Sequence, residues 1–287
     1  MQTTKLNIED KLPLTCSRRG TCCHGNLVML NPWELACLAR EKKVTPAEFR
    51  DSYCELGGIR LRFDGKPGWK NKKACSQYID NYGCSVHLGR PLACRLFPLG
   101  REIQNQEVNY MYQGTVFPCL DVCSEVTELA SLSVGEYLQG QQTEPFEKAQ
   151  SEYLQLMQGL ADIAFMLLLD TGLAQSGDTE TLPLWRKMST EQPETAAARI
   201  GQEWLDSLTT PEIAATEDPI LFVQQHDELL QQKAQSAVEN LQTLPEFREA
   251  CVLIMGVALH LARSLGANPQ LLAEHWIQTA KSHGALE

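Results

Sequence analysis

Cys16-Ser-Arg-Arg-Gly20-Thr-Cys22-Cys23-His24-Gly25 places three thiols and an imidazole within nine positions. A second dense patch runs Cys75-Ser-Gln-Tyr-Ile-Asp-Asn-Tyr-Gly83-Cys84-Ser-Val-His87-Leu-Gly89-Arg90-Pro91-Leu-Ala-Cys94-Arg95-Leu-Phe97-Pro98, and a third is Cys119-Leu-Asp-Val-Cys123. Ten of the eleven cysteines lie between Cys16 and Cys123. Cys251 alone lies outside, within an apolar run, where it reads as a small packed hydrophobe. Around the three patches the chain is rich in turn signals and poor in regular periodicity. Loop backbone held by a metal is the expected solution for such a segment.

The compartment bears on what the thiols do. The N-terminus, MQTTKLNIEDKLPLT, is mixed and polar, without the basic-then-apolar order of a secretory signal. The longest apolar run, Ala250 to Leu259, is ten residues, short of the roughly 20 that a membrane span needs. A cytoplasmic protein with no membrane partner is expected. Structural disulfides are disfavoured in a reducing cytosol, and clustered cysteines there point to metal binding or redox chemistry.

Charge divides the chain as cysteine does. Residues 1–125 hold 17 Lys+Arg and 13 Asp+Glu, net +4, and the remainder holds 8 and 23, net −15. The acidic half repels phosphate backbones and the basic half is too weakly charged to bind them, so no nucleic acid partner is expected. The acidic half is instead a candidate face for a protein partner.

Helix signals are sparse in the first half and dense in the second. Asn31-Pro32-Trp33-Glu34 and Thr45-Pro46-Ala47-Glu48 each combine a capping residue, proline at the first helical position and an acidic first turn. Ile59 to Phe63 alternates apolar and basic residues as a strand does, and a short strand is expected around Val108–Tyr112. From Ser133, which has capping-box spacing to Glu136, the texture becomes helical. Helices are predicted over Glu147–Leu169, from Thr190 through Trp204 to Leu208, from Asp218-Pro219 through Leu230, over Phe247–Leu265, and from Asn268-Pro269, with Gln175–Leu182 as a loop. The fold class is therefore mainly α. A small irregular cysteine-rich metal-binding domain, residues 1–129, is followed by an acidic α-helical bundle domain, residues 130–287.

Eight cysteines are candidate ligands: Cys16, Cys22, Cys23, Cys75, Cys84, Cys94, Cys119 and Cys123. Four thiolates hold one zinc ion or one iron–sulfur cluster, so eight suffice for two sites, or for one with spares. Cys37 and Cys54 stand alone and read as core residues. His24 and His87 are able to ligate zinc, but a hydrogen-bonded or exposed role is preferred because cysteine supplies enough ligands. Arg18, Arg19, Arg90 and Arg95 either lie in solvent or place positive charge beside thiols, which favours thiolate. Zinc prefers paired knuckles, and only Cys119 and Cys123 have that spacing; the irregular spacings elsewhere favour an iron–sulfur cluster over zinc. Phosphate-loop, dinucleotide-binding, zinc-protease, nucleophile-elbow and thioredoxin-type motifs are missing from the sequence. No catalytic residue is assigned.

The order Cys…Gly-x-Cys-Cys, Cys-x8-Cys and Arg-Pro-x-x-Cys-Arg-x-Phe-Pro resembles the YkgJ-like cysteine-cluster family across about residues 14–125. That resemblance implies a zinc- or iron-chelating domain whose start reads Cys-x-x-Cys-x-x-Cys-Cys. Cys16, Cys22 and Cys23 match three of its cysteines, and Arg19 stands where the second would fall. A guanidinium cannot ligate metal, so the site is expected to recruit Cys75, Cys84 and Cys94 first, then Cys119 and Cys123. Flagellin lysine N-methylases are similar in cysteine pattern, so a protein-modifying enzyme is one reading that the resemblance implies. Two others stand beside it: a cluster protein for electron transfer, sensing or metal handling, and a structural-zinc interaction module.

Overall fold

The structure, a computed structural model, describes residues 4–12, 20–104, 107–112 and 131–287. It resolves into two compact units. The first comprises Met1–Val28, Cys37–Tyr53 and Leu61–Glu147; the second comprises Met29–Ala36, Cys54–Arg60 and Lys148–Glu287.

The first unit is built from short elements. Strand Glu107–Tyr112 is central in a three-stranded antiparallel sheet, between Thr4–Leu6 and Leu99–Gln104. Lys11–Leu12 pairs antiparallel with Leu132–Ser133, and Tyr78–Ile79 with Gly83–Cys84. Helix Pro46–Tyr53 starts as its sequence predicts: Thr45 accepts from Glu48 N–H at 3.2 Å while the Glu48 carboxylate accepts from Thr45 N–H at 2.8 Å. Helix Val134–Gly140 carries a full capping box between Ser133 and Glu136. Buried Phe49, Leu61, Val86, Leu92, Leu96, Val134 and Tyr137 form a modest core. The Tyr137 hydroxyl donates to the Phe97 carbonyl at 2.6 Å, tying that capped helix to the chain just after Cys94.

The second unit is helical. Its axis is helix Leu244–Ser264, in which Ile254, Met255, Val257, Ala258, Leu259, Leu261 and Ala262 are all buried. A helix apolar on every side is a core helix, and helices Thr181–Thr190, Pro193–Ile200, Pro219–Val238 and Pro269–Ser282 pack around it. Helix Glu144–Asp170 is long and apolar enough, by length and composition, to cross a membrane. Tyr153, Leu156, Met157, Leu160, Ala161, Ala164 and Leu168 line its buried side at helical spacing, the pattern of a helix with one face in a packed core.

The chain is thus mainly α, with irregular structure and short strands in the cysteine-bearing region, as the sequence predicts. Three local expectations change. The helix predicted from Thr190 to Leu208 is two helices, Pro193–Ile200 and Gln202–Thr209, because Gly201 takes φ 83° and ψ 155°, outside the helical region. The predicted loop at Gln175–Leu182 ends sooner, and helix Thr181–Thr190 buries Leu182, Trp185 and Met188. The strand expected over Ile59–Phe63 shrinks to Arg60–Leu61, since Ile59 sits in the right-handed region and closes a 3-10 turn.

Candidate metal centre

The Cys22-Cys23 pair lies in a 3-10 turn, Thr21–Cys23, introduced by Gly20 at φ 75°. Cys23 N–H donates to the Gly20 carbonyl at 2.9 Å. In an extended segment neighbouring side chains point to opposite faces; at three residues per turn they are about 120° apart, so both sulfurs reach one side. Gly20 is required twice over. Its conformation is left-handed, and an added Cβ would lie 2.1 Å from the Tyr78 ring. The turn therefore rests directly on the hairpin that bears Cys84.

Backbone hydrogen bonds join the first two patches. Cys75 N–H donates to the Cys23 carbonyl at 2.7 Å, and Gly25 N–H to the Lys73 carbonyl at 2.9 Å. His24 is buried, its Nδ1 is 3.0 Å from the Gly20 carbonyl oxygen, and its ring meets Tyr78 edge-on at 4.9 Å. This is the hydrogen-bonded role preferred for it from sequence. Tyr78 pairs across the hairpin with Cys84, and Cys94 stands in the short helix Leu92–Leu96.

That helix is pinned by Arg95, which is 4% exposed. Its Nε donates to the Arg90 carbonyl at 2.8 Å and one Nη to the Gln141 carbonyl at 2.7 Å; the other Nη donates to the Leu88 carbonyl. Its guanidinium also lies 4.0 Å from the centre of the Phe146 ring. Arg95 fixes the loop before Cys94, so it is not a solvated surface residue. Arg90 is buried too, held by His87 and by the Gln141 side chain.

Five thiols share one electrostatic field. Cys22 is held below the usual thiol range, chiefly by its hydrogen bond with Cys23 and, less strongly, by the Arg90 charge. Cys23 is pushed up by that same bond, by burial, and by the charges of Cys22, Cys94 and Cys84. Cys75 rises to about 11 through burial, with Cys84 and Cys22 adding to it. Burial raises Cys94 well above its ordinary value, and Cys75, Cys22 and Cys84 add to the rise. Thiolates this near one another repel, and a bound cation is what relieves that repulsion. All five sulfurs are free thiols in half-buried residues. Soft sulfur donors in this number suit zinc or iron. Among the described residues no group of three or more His, Cys, Asp or Glu side chains is placed to hold a metal ion.

Of the eight candidate ligands, Cys22, Cys23, Cys75, Cys84 and Cys94 are brought together, and Cys16, Cys119 and Cys123 lie outside the described residues, as do Arg18 and Arg19. Cys37, Cys54 and Cys251 are buried elsewhere as core residues; the Cys251 thiol donates to the Ala164 carbonyl at 3.3 Å. Sequence reasoning missed Tyr78, which the Gly20 turn packs against, and Gln141, which receives both Arg90 and Arg95. Gln141 follows Arg90 by 51 positions, and nothing local marks it.

A family model named for the CxxCxxCC pattern, described as "Putative zinc- or iron-chelating domain", matches residues 15–113. That is the family the cysteine pattern resembles, and the match supports metal binding by this segment of about a third of the chain. It spans Cys16 to Cys94 and stops before Cys119. No curated protein and no solved structure matches the chain.

Proposed function

We propose that Cys16, Cys22, Cys23, Cys75, Cys84 and Cys94 are the ligand pool of one thiolate-bound iron–sulfur centre in a cytoplasmic protein of electron transfer, sensing or metal handling. The observation that carries this reading is the common field of five described thiols, drawn from segments up to 72 positions apart. The family match is consistent with this pool: it covers these six cysteines, with the buried Cys37 and Cys54, and ends before Cys119. Irregular spacing along the pool favours a cluster over a zinc knuckle.

When bound, such a cluster supplies one-electron chemistry. The chain's own residues do the rest. The Gly20 turn presents both neighbouring thiols, the Cys75 N–H bond holds the two patches together, and Arg95 fixes the Cys94 helix. Anaerobic purification tests the reading. Brown protein with iron and acid-labile sulfide is expected; colourless protein with stoichiometric zinc and no iron overturns the cluster assignment.

A further inference from the structure

Arg90 is 8% exposed, so its guanidinium is desolvated and its donors need acceptors. One Nη meets both ring nitrogens of His87 and donates to the His87 carbonyl at 3.2 Å, and the other donates to Gln141 Oε1. The remaining donor, Nε–H, is buried and has no hydrogen-bond partner among the described residues. Buried donors of this kind are rare, and an absent ligand is one standing reason for them. The side chain starts beside the thiol centre, because Pro91, the next residue, accepts from Cys94 N–H at 3.0 Å. Its backbone is fixed as well, because the Arg90 carbonyl accepts from Arg95 Nε at 2.8 Å.

We propose that Arg90 is the counter-charge and hydrogen-bond donor of the thiol centre, with Nε–H given to a sulfur acceptor that arrives with the metal. The inference rests on the proposed metal centre. A thiolate-bound centre is anionic, and its sulfurs accept hydrogen bonds. His87 and Gln141 hold the two Nη groups, which leaves Nε and the charge for that acceptor. Arg90 is a positioning residue: it touches no substrate and acts by stabilising what the cysteines hold.

The test uses the full chain, purified anaerobically with its metal, as wild type and as the variants Arg90→Gln and Arg90→Lys. Exposed Arg186→Gln serves as control. The readout is the rate of metal release to excess chelator, with far-ultraviolet circular dichroism to confirm the fold. Arg90→Gln is expected to release metal about tenfold faster, a loss of about 1.4 kcal/mol. Arg90→Lys, which keeps charge and drops Nε–H, is expected between Arg90→Gln and wild type. Release at the wild-type rate from Arg90→Lys overturns the Nε–H assignment, whether or not Arg90→Gln folds. Wild-type release from both variants overturns the whole inference and leaves the metal centre standing. Wild-type chain that binds no metal overturns the centre itself.

Discussion

At the scale of single residues, Gly20 decides how the two neighbouring thiols are presented. A methyl group there meets two separate penalties: left-handed backbone, at about 1–2 kcal/mol, and overlap with the Tyr78 ring, at about 1–3 kcal/mol. Gly20→Ala is therefore expected to lower stability to urea by roughly 2–5 kcal/mol, the sum of those ranges. Adding Tyr78→Ala is expected to return only the overlap part. A Gly20→Ala variant as stable as wild type would show that the turn does not rest on Tyr78. The thiols were legible in the sequence because cysteine carries its chemistry in its type and its spacing. Tyr78 and Gln141 were not legible, because what they do is set by residues 58 and 51 positions away, Gly20 and Arg90 respectively. Even the arginines divide only in three dimensions: Arg95 spends its donors on carbonyls, while Arg90 keeps one.

At the scale of elements, capping is the most legible layer. Asn31 with Glu34, Thr45 with Glu48, Ser133 with Glu136, and the caps Asp218 and Asn268 all start helices where their residue types predict. The Ser133 cap bears on the site, because helix Val134–Gly140 leads into Gln141. Ser133→Ala is expected to cost about 1 kcal/mol and to speed amide exchange over residues 134–141. Unchanged exchange there would separate the cap from the Arg90 and Arg95 anchor. The Glu136 carboxyl is held below its ordinary value by the Ser133 backbone and side-chain bonds. Its contribution is thus present above the ordinary carboxylate value and fades as pH falls through the lowered one. What the sequence hid at this scale has physical causes. Gly201 breaks a helix that apolar periodicity alone carries through, because periodicity counts side chains and Gly201 acts through its backbone. Helix Thr181–Thr190 starts inside the predicted loop and carries Pro183 in its first turn, where proline is tolerated.

At the scale of the whole molecule, the helical unit carries its own pH dependence. His226 is buried between Tyr153, whose hydroxyl is 2.9 Å from Nδ1, and the Ser207 carbonyl, 2.9 Å from Nε2. Burial lowers it from 6.5 to about 4. His260, on the central helix, is lowered to about 4 by burial and by the Arg263 charge. A histidine depressed on folding binds its proton more tightly in the unfolded chain. Stability is therefore full above about pH 6.5 and declines as pH falls towards 4, by about 3 kcal/mol for each histidine. Urea titrations followed by helical circular dichroism from pH 7 to 4.5 are expected to show that decline, and His226→Gln to remove about half of it. A flat profile would mean that both imidazoles meet water. The mainly α architecture and the concentration of chemistry in the cysteine-bearing region were both legible beforehand, from periodicity in one case and residue type in the other. Convergence of Cys22, Cys23, Cys75, Cys84 and Cys94 was legible only as an expectation, since closing loops between patches is a tertiary event. The measurement that tests this convergence most directly is the metal content per chain of anaerobically purified wild type beside Cys94→Ser and Cys251→Ala. Stoichiometric metal in wild type and Cys251→Ala, with loss from Cys94→Ser, is the expected result; folded, metal-free wild type, or metal retained in full by Cys94→Ser, contradicts a centre built on these thiols.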